Sequence, residues 1–310
     1  MKRTRWFTFL GTGALILGCA AVQAQVETLA PPVVDNAPKA RVESIKVHSR
    51  EIEGNLLGTP ADRDVMVILP PSYDRERSRR YPVVYALHGY SISAEQWMKE
   101  IRLPQTAESA FATGTPEMIV VLPSSKNEYN GASRIGIRRA ERFGALYVMS
   151  PCCQTPQGSR GLTSEQVSQL QALPSAAASS SMPFGLRGTL ALASAWSPNP
   201  AKPPLYLDLP VDSSGKERPE ILAKWTANAP LAFLDQYVST VRRYRAIALD
   251  VGDKDSLVED TRRLHEALKA QGIPSTFEIY EGTHTSHVAF RIQQQVLPFF
   301  GRSLSFSRGK

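Results

Sequence analysis

Five histidines could move a proton in this chain of 310 residues: His48, His88, His265, His284 and His287. His284 is the best placed of them. It follows Tyr280-Glu281-Gly282-Thr283, so it projects from the loop after a strand-like run, at the carboxyl edge where ligands and catalytic groups gather in open α/β sheets. Asp255, in Gly252-Asp253-Lys254-Asp255, holds the matching loop one strand earlier. A carboxylate there can orient the imidazole and stabilise its charged form. A competing role for Asp255 is to cap the helix beginning at Ser256. The order Asp then His, after successive strands, favours the catalytic role.

His88 ends an apolar run as His88-Gly89-Tyr90. A His-Gly pair there lets the chain turn tightly and present a backbone N–H, which is what an oxyanion hole requires. The His88 side chain reads as a structural group holding that turn, with the Tyr90 amide as the functional one. His265 lies within an amphipathic helix and reads as a surface residue, and His48 sits on an early strand with no obvious partner. Cys152 and Cys153 are adjacent and cannot staple distant parts of the fold. They read as small packing groups, with a vicinal disulfide as the alternative. With residues 1–24 and their Cys19 set aside, two neighbouring cysteines alone make a zinc site improbable, and no cofactor is indicated.

The elements that would position these groups follow from pattern. Strands are expected at 41–52 and 64–74, and in the unbroken apolar runs "YPVVYALHGY" and "EMIVVLP". A helix over 132–142 and the strand "FGALYVMS" come next. From about 154 to 218 the chain is rich in Ser, Ala, Pro and Gly and reads as an irregular excursion with a helix or two. A helix over 219–243, the strand 244–252, the helix "SLVEDTRRLHEALKAQG", the strand "STFEIYEG" and a last helix through "HVAFRIQQQVLPFF" follow. Alternating strands and helices with buried apolar strands imply an α/β sandwich around a mostly parallel sheet.

Residues 1–24 have a basic start, an apolar run from Trp6 to Leu17, and the exit Val22-Gln23-Ala24. That is the pattern of a cleaved signal peptide, so export to a periplasm or the exterior is expected. Attachment of a lipid at Cys19 is the alternative. The run is too short for a comfortable membrane span. Residues 25–39 read as a linker and 40–303 as the folded domain. The net charge is +7, but the leader carries Lys2, Arg3 and Arg5. The remaining excess is spread along the chain and indicates no nucleic-acid partner.

The words "YPVVYALHGY", "MIVVLP", "GASRIGIRRAERFGALYVMSPCC", "GDKD" and "YEGTHTSHVAFRIQQQVLPFF" resemble the esterase D branch of the α/β-hydrolases. That group includes S-formylglutathione hydrolases, enterobactin-type esterases, feruloyl and acetylxylan esterases, and mycolyltransferases. The resemblance implies Asp255 as triad acid, His284 as triad base with His287 as fallback, and the Tyr90 amide as one oxyanion donor. It implies a serine carboxylesterase or acyl hydrolase, with acyl transfer as a subclass, acting on a small-molecule ester or an acylated glycan.

The family pattern breaks at Gly131. Between "NEYNG" and "GASRIG" it has a loop, a helix, a strand and a G-x-S-x-G elbow, and no such elbow occurs anywhere in this chain. A missing helix and strand amount to ~30 residues or more, the size of a βαβ step. The nucleophile is therefore absent, and the sheet is expected to be one central strand and one helix short. It either closes around one strand fewer, with "EMIVVLP", helix 132–142 and "GALYVMS" as a βαβ unit, or keeps a gap. Ser124, Ser125, Cys152 and Cys153 are the substitutes to consider, while Ser133 belongs to the following helix. The alternative to an esterase is a non-catalytic remnant that at most binds an acyl or glycan ligand.

Overall fold

The computed structural model describes residues 26–125 and 132–306. The expected leader and the junction at Gly131 lie outside these residues. Strands β1 (Arg41–His48), β2 (Asp62–Leu69), β3 (Val83–Tyr85) and β4 (Ile119–Pro123) form one sheet in the order β1-β2-β4-β3. Pairs β1–β2 and β2–β4 are antiparallel, and β3–β4 is parallel. Strands β5 (Ala145–Met149), β6 (Ala246–Gly252) and β7 (Thr276–Tyr280) form a second sheet, parallel throughout. The βαβ closure is not what the chain adopts, because β4 and β5 lie in different sheets. Among the described residues, no strand pairs with the outer edge of β3 or of β5. The described strands thus form two separate sheets, not one sheet closed around one strand fewer.

Helices α1 (Ala94–Glu100) and α2 (Leu103–Ala112) cover one face of the first sheet. They bury Trp97, Ile101 and Leu103 against Ile68, Val84, Val120 and Leu122. α1 starts where the Ser93 hydroxyl accepts the Gln96 N–H, satisfying a donor that has no partner within the helix. α3 (Ala132–Arg138) continues as a 3-10 turn to Arg142. The excursion contains α4 (Ser164–Gln171) and α5 (Phe184–Trp196), and it is less irregular than its composition suggests. Val167, Leu170, Leu190, Leu207 and Ile221 form a core of their own around Trp196 and Trp225, whose rings meet edge to face at 6.0 Å.

The single helix expected over 219–243 is two, α6 (Pro219–Asn228) and α7 (Pro230–Val241). Pro230 is the reason. It lacks an N–H and pushes the residue before it out of the helical region, and Ala229 is accordingly extended, at φ −66° and ψ 132°. α8 (Val258–Ala270) packs Leu264 and Leu268 on the second sheet. The last helix runs as α9 (Val288–Arg291), a π-helical stretch at Ile292–Val296, and α10 (Leu297–Ser303). Among the described residues, no helix is long and apolar enough to cross a membrane.

Candidate active site

The loops after β6 and β7 are laced together before any side chain is considered. Asp253 N–H donates to Tyr280 O at 2.7 Å, and Lys254 N–H donates to Gly282 O at 2.9 Å. Asp253 Oδ1 accepts the Gly282 N–H at 2.8 Å. Gly252 permits this approach, since a Cβ there would collide with the Gly282 carbonyl. Asp255 and His284 are therefore carried to one place by two crossing backbones.

They meet. His284 Nδ1 lies 2.8 Å from Asp255 Oδ2. The Asp255 side chain is 1% exposed, whereas that of His284 is 60% exposed. The other carboxylate oxygen accepts the Leu257 N–H at 3.0 Å. The two roles weighed for Asp255 thus coexist, one oxygen holding the turn into α8 and the other holding the imidazole. Burial by itself would raise the Asp255 carboxyl. Hydrogen bonds from His284, Leu257 N–H and the Ser150 hydroxyl outweigh it and hold the group below the usual carboxylate range. The hydrogen bond to Asp255 raises His284 above the ordinary histidine value, against a smaller effect of burial. Nε2 of His284 has no hydrogen-bond partner among the described residues. Sequence inspection did not single out Ser150. It directly follows β5, at φ 43°, and only its position one strand from Asp255 could have flagged it.

The remaining candidates take structural places. His287 Nδ1 lies 2.9 Å from Ser286 Oγ, and its ring packs on Tyr280 and Phe290, so the fallback base is engaged elsewhere. His88 is 2% exposed and holds its turn, with Nδ1 2.8 Å from Gly89 O and Nε2 accepting the Ser125 N–H at 3.0 Å. Burial lowers its pKa, in keeping with a neutral ring that donates at one nitrogen and accepts at the other. Tyr90 lies in the turn that follows, and its N–H donates to no described residue. Its hydroxyl donates to Arg187 O of α5 at 3.0 Å, tying the turn to the excursion. His48 does have partners, lying 2.8 Å from Asp62 and 2.5 Å from Glu53. His265 is half-buried, stacked on Phe277 and bonded to Ser275.

Among the described residues, no substitute nucleophile is found on His284. The Ser124 hydroxyl accepts the Ala94 N–H at the start of α1. Ser133 is buried and accepts from Gln154 Nε2 at 2.9 Å, as befits a helix residue. Cys152 and Cys153 are joined to each other, so the packing expectation gives way to the vicinal disulfide. Their loop is fixed by Cys153 N–H donating to Asp260 Oδ2 at 2.7 Å. A cavity of about 610 Å³ opens in the excursion beside Lys202, Leu207, Val211 and Arg218, and neither Asp255, His284 nor Tyr90 lines it.

Beneath the site, Arg291 of α9 is buried. Its Nε donates to Asp250 of β6 at 2.8 Å, and its two other nitrogens fork onto Glu278 of β7 at 2.9 and 2.7 Å. The Tyr147 hydroxyl of β5 also donates to Asp250, at 2.7 Å. One guanidinium thus ties the helix after the histidine loop to the second sheet.

Residues 58–136 match the family described as "Putative esterase". Among solved structures, a ferulic acid esterase is similar at 17% identity and a TM-score of 0.56, with 86% of this chain and 99% of that one covered. This is an α/β-hydrolase-like fold. FphF, a fluorophosphonate-binding serine hydrolase of Staphylococcus aureus, gives 13% identity, a TM-score of 0.51 and the same coverage, 86% and 99%. The S-formylglutathione hydrolase FrmB of the same organism gives 12% identity and a TM-score of 0.50, again over 86% and 99%. No curated protein sequence matches the chain. The family match supports an esterase-like function in general terms.

Proposed function

We propose that this chain is an exported carboxylic ester or thioester hydrolase in which His284 and Asp255 form the base and no side chain serves as nucleophile. One observation carries the reading: an imidazole bonded through Nδ1 to a buried carboxylate, with Nε2 left open. Nδ1 then keeps its proton and Nε2 accepts one. In this reading Nε2 takes a proton from water as the water oxygen attacks the acyl carbon. Asp255 stabilises the imidazolium, and the Tyr90 N–H faces the developing oxyanion. Collapse breaks the acyl–oxygen or acyl–sulfur bond, and the imidazolium returns its proton to the leaving alcohol or thiol. A positioned general base contributes roughly 10²–10⁴-fold, so turnover is slow beside that of an enzyme with a serine elbow. Substrates are small-molecule esters, with acylated glycans as a subclass, met in the periplasm or outside the cell.

Among the described residues no hydroxyl or thiol lies on Nε2, which equally favours a second reading, a remnant that binds an acyl ligand without turning it over. Hydrolysis of a small aryl ester separates the two. Turnover lost on His284→Ala and kept on His287→Ala supports the hydrolase. Turnover indifferent to both, or none above buffer, supports the binding remnant.

A further inference from the structure

The segment read as a linker is tied down along its length. Val26 N–H donates to Glu100 Oε2 of α1 at 2.8 Å, and Val34 N–H donates to Ser109 Oγ of α2 at 3.1 Å. Between these anchors the chain crosses the segment that carries His284. Leu29 N–H donates to Ser286 O at 2.7 Å. The Thr28 hydroxyl accepts the Ala289 N–H at 3.1 Å, and its single proton is shared between Ser286 O and Leu29 O, each at 3.5 Å. Further on, Gln293 Nε2 donates to Pro32 O at 2.8 Å.

These contacts supply what the histidine loop lacks locally. The first N–H groups of a helix have no partner within it. The residue preceding α9, His287, gives no side-chain cap. Thr28, distant in sequence, provides one. The same hydroxyl and the Leu29 N–H hold Ser286 O, and Ser286 closes the turn that contains His284. There Thr283 N–H donates to Ser286 Oγ at 2.9 Å, and Ser286 N–H donates to Thr283 Oγ1 at 3.3 Å. An imidazole that is 60% exposed and held by one carboxylate owes its orientation largely to the backbone beneath it. That backbone is gripped from outside, by a segment that precedes β1 and lies outside the residues matching the esterase family.

We infer that Thr28 is a positioning residue for His284: its hydroxyl fixes the Thr283–Ser286 turn and the start of α9, and so keeps Nδ1 on Asp255. The inference rests on the reading of His284 as the base only for its catalytic consequence.

The test is the ¹⁵N NMR spectrum of the His284 imidazole in the full chain at a pH where the ring is neutral, assigned by comparison with His284→Gln. The unaltered protein and Thr28→Ser show a single species protonated at Nδ1. Thr28→Val shows a tautomer-averaged signal and, with an aryl ester, a kcat lower by roughly tenfold or more with KM little changed. Gln293→Met frees the strap at Pro32 alone and moves the signal the same way by less, and it serves if Thr28→Val does not fold. A folded Thr28→Val chain whose imidazole signal is unmoved, even with a lower melting temperature, overturns the inference. If the signal moves while no form hydrolyses any ester, the positioning role stands and the base assignment falls.

Discussion

The two half-sheets face different surroundings. In the second, β5 and β6 are covered on both sides, while the edge strand β7 is largely exposed. Ile247 and Leu249 pack with Phe233, Leu234, Leu264 and Leu268 of α7 and α8, while Ala145 and Ala248 on the other face pack with Phe299 of α10. The first sheet has helices on one face only. On its other face Val65, Val67 and Leu69 cluster with Ile119 and Val121, all of them strand residues. Val83 and Tyr85, which pair in register with Ile119 and Val121 and so share that face, are 41% and 56% exposed. The covered half carries the Asp255–His284 pair. The half-covered one leads into the Tyr90 turn, and among the described residues the outer edges of β3 and β5 pair with no strand. A precise hydrogen-bonded pair needs rigid support beneath it, and it is found where that support is complete.

The contrast can be broken at several points. The largest effect expected is in function: His284→Ala should lower ester turnover by about 10²–10⁴-fold, measured as kcat/KM on an aryl ester. In stability, Leu249→Ala in the covered half should cost about 2–5 kcal/mol in denaturant unfolding, because it opens a cavity in packed surroundings. Gly252→Ala should cost about 1–3 kcal/mol by forcing the two site loops apart, and it should loosen the Asp255–His284 contact as well. The smallest effect is expected on the face that no helix covers. Tyr85→Thr should cost at most about 1 kcal/mol, since the ring is more than half exposed and its one ring contact is edge to face with Phe143. A large loss there would mean that this face is covered after all.

The pH dependence follows from the directions of the shifts. His284 is raised, so its favourable interaction with Asp255 is complete below the ordinary histidine range and fades as pH rises through the raised value. Asp255 is lowered, so its contribution is present above the ordinary carboxylate range and lost as pH falls through the depressed value. The pair therefore stabilises the fold most between those limits. Turnover needs the neutral ring and should rise with pH through the raised histidine value. In Asp255→Asn that limb should move to lower pH while the rate falls, as a pH–rate profile would record.

Much of this was legible in the sequence because it rests on local signals. Apolar runs with bounding turns gave the strands, and the Asp-then-His order gave the pair that the structure joins at 2.8 Å. Pro230 was equally local, yet its break was passed over within a run of otherwise good helix formers. What could not be read depends on distant contacts. The Pro- and Val-rich segment 26–34 has no periodicity of its own, and only its hydrogen bonds to Ser109 and to residues 286–293 give it a place. His48 gains its carboxylates through the β1–β2 register and the turn after β1, neither of which a single strand discloses. The Cys152–Cys153 link likewise depends on a loop conformation, with Cys153 at φ 64°, that composition does not specify.

The most direct test of a base without a side-chain nucleophile is treatment of the folded protein with a fluorophosphonate, followed by intact mass and peptide mapping. The account predicts no adduct in a protein that still hydrolyses an aryl ester through His284. An adduct on any serine or cysteine would contradict it, and the labelled residue would be the nucleophile.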